Sequence, residues 1–231
     1  MENKLGILYI VSTPIGNLGD ITYRAIEILK LVDVIAAENT KHSKKILLHY
    51  NFKTSLIPYN EYNSLRKIPI IMEKLKLGNS LALISDAGTP GISDPAYRLI
   101  RTAIKNKIKI ESIPGPSATL AALVSSGLPT DRFLFEGFLP PKKGRKLRID
   151  KIKNEAATII FFESPKRLKR TLNDLYIILG ERPAVICREL TKIHEQIKRG
   201  TLSELIDYYS ENNAKGECVI LVGKDDSNVY F

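Results

Sequence analysis

The chain has 231 residues, enough for one large domain or two small ones with a real core. Apolar residues make up 44%, ordinary for a globular protein, and no apolar run approaches the length of a membrane span. Lys and Arg number 35 against 25 Asp and Glu, a formal net charge of +10. That excess favours anionic partners, with nucleic acid ahead of membrane because no basic amphipathic helix stands out.

A lysine-rich surface without a partner would carry the same charge, so charge alone does not decide. Two cysteines, Cys187 and Cys218, sit in the apolar runs "AVIC" and "ECVILV". They read as buried free thiols rather than a disulfide or a metal pair. No signal peptide precedes the first apolar run. A reduced, cytoplasmic, soluble protein is expected.

In chain order, "ILYIV" (Ile7 to Val11) reads as a buried strand. Ile21, Ala25, Ile28, Leu29 and Val32 then fall at helical spacing, with Asp20 placed to cap. "DVIAAE" (Asp33 to Glu38) is a second strand, followed by a basic helix from about Lys41 to Tyr50. "SLIPY" is a weaker third strand before a helix that runs to about Leu77. "LALIS" is the fourth strand. Asp94 and Pro95 then open a helix with Ala96, Leu99, Ile100 and Ala103 on one face. "IKIESIP" (Ile108 to Pro114) is the fifth strand. This alternation predicts a parallel sheet covered on both faces.

"PGPS" (Pro114 to Ser117) reads as a hinge, which places the domains at 1–114 and 115–231. Beyond it, "RFLFEGF" reads as a strand and "PPKKGRKLRIDKIK" (Pro140 to Lys153) as a mobile, proline-led basic segment. "ATIIFFES" is a strand, and Ser164 with Pro165 opens a helix carrying Leu168, Leu172, Leu175 and Leu179 on one side. "PAVICREL" and "HEQIKRGTL" are strands, a helix runs from about Ser203 to Tyr209, and "ECVILVG" is a last strand. Short connections between these strands predict a mixed sheet with helices.

Ligands of open parallel sheets bind outside the carboxyl ends of the strands. Three stretches hold such places: "STPIGNLGD" (Ser12 to Asp20), "SDAGTPGISDP" (Ser85 to Pro95) and "PGPSA" (Pro114 to Ala118). All are rich in small residues that let backbone approach a ligand. None matches a phosphate-binding G-x-x-x-x-G-K-[ST] string, and the first two carry acid but no Lys or Arg. A polyphosphate would be poorly served. A ligand with hydroxyls, an amine or a positive centre fits better, and S-adenosylmethionine has all three. Asp86, directly after its strand, reads as a ligand contact, and Asp94 as a helix cap.

The strings "TPIGNLGDIT", "SDAGTPGISDP", "PGPSA", "GLPTDRFLFEGFLP", "ESPKRL" and "RELTKIHEQIKRGTL" occur in this order. Together they resemble the RsmI family, 16S ribosomal RNA 2′-O-ribose cytidine methyltransferases of the tetrapyrrole-methylase superfamily. The resemblance runs from about Leu8 to Val222. It implies an α/β, two-domain tetrapyrrole-methylase-like fold, a parallel-sheet N-terminal domain and a mixed-sheet C-terminal domain. It also implies a homodimer, with S-adenosyl-L-methionine between the domains and methyl transfer to a ribose 2′-hydroxyl in the decoding region of the small subunit.

The cofactor contacts it implies are Pro14, Asp86, Ala87, Gly88, Thr89, Ile92 and Ser93, then Ser117, Ala118, Glu163, Ser164, Glu189 and Leu190. The chain departs from the family at Asn39, where aspartate is usual, at Asn60 and Tyr62, and at Lys166, where histidines are common. A histidine-centred mechanism is therefore not expected.

Methyl transfer from a sulfonium needs in-line alignment, exclusion of water, and help in removing the hydroxyl proton. Glu38, Lys41 and Glu61 are the expected polar wall facing the ribose, although salt-bridged or solvated surface roles suit them as well. The histidines are three and scattered, so no metal is expected. RNA needs a positive surface, and Lys142, Lys143, Arg145, Lys146 and Arg148 supply one patch, Lys166, Arg167, Lys169 and Arg170 a second. Two other readings share these residues: a small-molecule tetrapyrrole methylase of the same fold, and a non-catalytic RNA-binding assembly protein. The basic segment argues against the first, and cofactor binding would exclude the second.

Overall fold

The computed structural model describes residues 5–231. Tertiary contacts divide the chain into two units, one ending at Ser117 and the other beginning at Ala118. The first holds five parallel strands: β1 (Ile7–Val11), β2 (Val34–Ala37), β3 (Ser55–Pro58), β4 (Leu81–Ile84) and β5 (Lys109–Ile113). They lie in the order β3-β2-β4-β1-β5. β2 and β4 are buried at every position, which is why each reads as an unbroken apolar run.

Helices α1 (Tyr23–Leu31) and α2 (Thr40–His49) cover one face. Ala25, Leu29, Ile46 and Leu47 pack there on Val11, Ile35, Ala37 and Ile84. Helices α3 (Ser64–Lys76) and α4 (Ala96–Lys105) cover the other, where Ile71, Leu75, Leu99 and Ala103 pack on Leu8, Ile10, Ala36 and Leu83. The crossover leaving β1 thus passes over one face and that leaving β4 over the opposite face. Adjacent strands whose connections diverge in this way leave a crevice at their carboxyl ends.

Asp20 does not cap α1, as the sequence had suggested. Thr22 does, accepting from Ala25 N at 3.2 Å, while Asp20 ends a short 3₁₀ turn (Leu18–Asp20) capped by Asn17. Both residue types suit a cap, and the intervening turn moves the helix start two residues on.

The second unit holds β6 (Phe133–Phe138), β7 (Thr158–Glu163), β8 (Pro183–Arg188), β9 (Gln196–Thr201) and β10 (Cys218–Val222). Their order is β6-β7-β10-β8-β9, with β6 and β7 parallel and the other pairs antiparallel. Helices α6 (Arg145–Asp150), α7 (Pro165–Leu179) and α8 (Leu202–Glu211) close one core with Ile149, Leu168, Leu172, Leu175, Leu202 and Leu205. A capping box of Thr201 and Glu204 starts α8. Helix α5 (Ala118–Ser126) packs against β8, β9 and β10. Cys187 and Cys218 are buried free thiols, pushed up to about 11 and about 12 by burial.

Candidate functional site

The crevice between β1 and β4 is closed by backbone. Thr13 and Gly88 exchange both hydrogen bonds, N to O at 2.9 and 3.0 Å, in an isolated antiparallel bridge. Gly88 sits at φ +76°, a conformation costly for a residue with a Cβ. Small hydroxyls knit the third loop to this bridge. Ser12 Oγ lies 2.8 Å from Thr89 Oγ1, which donates to Pro116 O at 3.3 Å. Thr13 Oγ1 donates to Ser85 O at 3.2 Å. Gly115 permits the approach, since a Cβ there would stand 3.1 Å from that of Ser12.

Pro14, next in the chain after Thr13, is buried, Asp86 and Thr89 are half-buried, and Ala87, Ile92 and Ser93 are exposed. Ser93 adopts φ +64°, a left-handed conformation uncommon for serine. Ser117 is half-buried beside Pro116.

The two aspartates of the β4 loop have different partners. Asp86 Oδ1 accepts from Asn39 N at 3.1 Å, and its second oxygen takes no hydrogen bond among the described residues. Asp94 is committed internally, with both oxygens on Gly91 N at 2.8 and 2.7 Å and Oδ1 also on Ala96 N at 2.8 Å. It therefore closes its own loop and starts α4, and burial pushes its carboxyl up. Asn39, the departure from the family pattern, caps α2 by accepting from Lys41 N and His42 N. An amide oxygen serves a cap as well as a carboxylate does.

Glu38 stands directly after β2 and is half-buried. Its Oε2 accepts from Asp86 N at 3.5 Å. Burial raises its carboxyl above the usual range, and the nearby Asp86 and Asp94 charges add to this. It lines a cavity of about 10 Å³ with Tyr59, Ser85, Pro90, Asp94 and Pro95. Tyr59 donates to Pro95 O at 3.1 Å, and burial pushes its phenol up to about 12, so it remains a donor. Lys41 is exposed in the first turn of α2, and Glu61 is exposed and paired with Arg98 at 3.7 Å. Of the three expected ribose-facing residues, the fold brings only Glu38 against the β4 loop.

In the second unit, Ala118 opens α5 and Ser164 is the N-cap of α7. Glu163, 2% exposed, is the hub of a buried polar network. Its Oε1 accepts from Ser164 N at 2.8 Å and pairs with Arg167 Nε at 3.0 Å. Its Oε2 accepts from Thr171 Oγ1 at 2.5 Å and stands 3.9 Å from Arg145. The carboxylate is spent inside the unit, so what remains here for a ligand is the backbone and Ser164.

Glu189 (φ +50°) and Thr191 (φ +65°) flank the buried Leu190 in a strained bend after β8. Lys192 pairs with Glu189 at 2.9 Å and Glu217 at 2.8 Å and holds the bend. Its hydrogen bond, with that of Glu217 N, keeps the Glu189 carboxyl below the usual range.

The basic patches sort into two groups. Lys142, Lys143, Lys146, Lys166 and Lys169 are exposed, and none pairs with a carboxylate among the described residues. Arg148 and Arg170 are also exposed, and they pair with Glu136 and, at 3.8 Å, with Asp174, respectively. Arg145, by contrast, is 2% exposed and points into the unit. It leaves the expected RNA-facing set because Asp174 and Glu163 compensate its charge inside and Thr171 accepts a hydrogen bond from it. Arg167 is half-buried on Glu163 and Leu139 O. Nor is the segment a loose arm: it contains α6 and is bonded to α7.

Ser12, Thr13, Ser85, Pro116 and Thr171 take part in these arrangements but were not singled out from the sequence. For Ser12 and Thr13 the available signal was their place directly after the first strand. Among the described residues, no group of three His, Cys, Asp or Glu side chains is placed to hold a metal ion, and no helix is long and apolar enough to cross a membrane.

Asp86 and Glu38, with the absence of Lys or Arg in the loops, suit a ligand with hydroxyl, ammonium or sulfonium groups rather than a polyphosphate. Residues 7–206 match the family described as Tetrapyrrole (Corrin/Porphyrin) Methylases. The chain is 50% identical over 222 residues to Ribosomal RNA small subunit methyltransferase I of Synechocystis sp., covering 95% of this chain and 80% of that protein. It is 49% identical over 223 residues to the protein of that name from Halalkalibacterium halodurans, covering 96% and 77%. Among solved structures, cobalt precorrin-4 methyltransferase, a cobalamin biosynthetic enzyme, superposes with a TM-score of 0.70 at 19% identity, over 94% of each chain, a likeness of fold.

Proposed function

The chain belongs to the ribosomal RNA small subunit methyltransferase I family of tetrapyrrole methylases, and on that premise we propose that it methylates the ribose 2′-hydroxyl of a cytidine in 16S ribosomal RNA. The methyl donor is S-adenosylmethionine, which when bound supplies an electrophilic methyl group on a sulfonium. The knotted crevice, with its bridge of Thr13 and Gly88, carries the assignment of the donor site. It offers backbone polar groups, small side chains and one uncommitted carboxylate oxygen, on Asp86, beside the carboxyl ends of β1 and β4.

In this reading Asp86 accepts from the hydroxyl or amine groups of the donor, and the backbone from Ala87 to Thr89 shapes its bed. Pro14 and Ser117 belong to the same crevice, and Ile92 and Ser93 to its exposed lip. Ser164, Glu189 and Leu190 are assigned to the donor on the resemblance, with the strained bend at Glu189 in support. Glu38 receives the proton of the ribose hydroxyl. Its half-buried carboxylate is more basic than a solvated one, which suits a base working near neutral pH. The exposed lysines of the second unit hold the phosphate backbone of the RNA.

Two substitutions test the division of labour in the β4 loop. Asp86→Ala is expected to weaken S-adenosylmethionine about 10- to 100-fold by calorimetry, the loss of one charge-assisted hydrogen bond, with a smaller loss of stability than Asp94→Ala because only the exposed bond from Asn39 N goes with it. Asp94→Ala is expected to cost about 1–2 kcal/mol of stability, through the lost loop and cap bonds. If Asp94→Ala abolished binding at full stability while Asp86→Ala left it intact, the two roles would be reversed.

A further inference from the structure

Four arginines hold the backbone of the basic segment. Arg167 Nη2 donates to Leu139 O at 2.6 Å, Arg145 Nη1 to Pro140 O at 3.3 Å, and Arg170 Nη1 to Pro141 O at 3.2 Å. Three consecutive carbonyls, from Leu139 just before the segment to Pro141 within it, are thus pinned to α6 and α7. At its far end, Arg182 donates to Lys153 O at 2.5 Å and Glu155 O at 3.3 Å. Arg145 and Arg182 are both buried.

Arg145 is the centre of the clamp. Its Nε pairs with Asp174 Oδ2 at 2.6 Å, and its Nη2 donates to Thr171 Oγ1 at 2.6 Å. Thr171 passes the contact on to Glu163. Burying a guanidinium carries a large desolvation cost, offset only when the fork is fully paired. Here that fork joins the segment's carbonyl to α7 and to the end of β7. Lys142, Lys143 and Lys146, flanking Arg145, face solvent. The chain therefore places one charge inward to hold three outward.

We propose that Arg145 is a positioning residue for RNA binding: held by Asp174 and Thr171, it fixes 142–148 as a rigid cationic platform for RNA phosphates. The inference rests on the reading of this segment as RNA-facing. A fixed platform loses less conformational entropy on binding than a mobile arm of equal charge. Loosening the clamp therefore lowers RNA affinity with every surface cation still in place.

The test compares three variants for binding to small ribosomal subunits across a salt series, for S-adenosylmethionine affinity, and for amide exchange of 142–148. The lysine variant K142A/K143A/K146A is expected to weaken subunit binding at least about 10-fold and to flatten its salt dependence by about 2 in log–log slope. Arg145→Lys keeps the charge and loses the planar fork, and Asp174→Asn keeps the shape and loses the pairing. Each is expected to weaken subunit binding about 3- to 10-fold and to speed exchange in the segment at least about 10-fold. Donor affinity should stay within about twofold, whereas general destabilisation of the unit would lower both affinities together. If Arg145→Lys does not fold, Asp174→Asn carries the comparison.

If the lysine variant weakens binding while Arg145→Lys and Asp174→Asn leave affinity and exchange unchanged, the positioning role is wrong and the RNA-facing reading stands. If the lysine variant binds like the parent, the segment does not face RNA and both fall.

Discussion

Glu38→Gln is expected to lower kcat about 10²- to 10³-fold, the usual loss when a general base is removed. The affinity for S-adenosylmethionine should stay within about twofold, because Asp86 and not Glu38 is assigned to the donor. Burial raises the Glu38 carboxyl, reinforced by Asp86 and Asp94. The acid limb of the parent's kcat/KM profile should therefore lie above the ordinary carboxylate range, and the variant should lose that limb.

The same shift fixes the sign of a stability effect. A carboxyl whose folded-state pKa lies above its unfolded value favours the fold below that unfolded value. The contribution is lost as pH rises through the folded pKa. At neutral pH the ionised group opposes folding, so Glu38→Gln should raise the melting temperature. Lower activity with higher stability is the signature of a group kept for chemistry. Unchanged kcat would remove Glu38 as the base, and a matching loss of donor affinity would make it a cofactor contact instead.

Glu163→Ala is expected to have the largest effect on stability, about 3 kcal/mol, seen as a fall in melting temperature of about 6–10 °C. The cost lies in what stays behind. Arg145, 2% exposed, keeps Asp174 as its one carboxylate partner among the described residues, and Arg167, Thr171 and Ser164 N each lose an acceptor. Thermal melts of the parent and of Glu163→Ala read this directly. A melt unchanged within 1 °C, with donor binding abolished, would mean that the carboxylate faces the ligand rather than the interior.

These residues also show how far the sequence could be read. The parallel sheet was legible because β1, β2 and β4 are buried on both sides and so appear as continuous apolar runs. The loop after β4 was legible because a strand end, two glycines and two aspartates share one short stretch. The helix α5 was not foreseen. "ATLAALVSS" has no polar face, so it has no period to detect. Arg145 was misread for a different reason. Charge in a basic run predicts exposure, and only the fold brings Glu163, Thr171 and Asp174 around it. Glu163 was picked out through the family strings, and its buried pairing depends on contacts with α6 and α7 that no local pattern encodes.

The most direct test of the methyltransferase assignment is to incubate the protein with isotopically labelled S-adenosylmethionine and small ribosomal subunits that lack their native methylations, then to map the label by nuclease digestion and mass spectrometry. The expected result is one methyl group on the ribose 2′-oxygen of a cytidine in the 16S RNA, absent with the Glu38→Gln protein over the same time. Label on a base, or no label on subunits under conditions where calorimetry shows the donor bound, would contradict it.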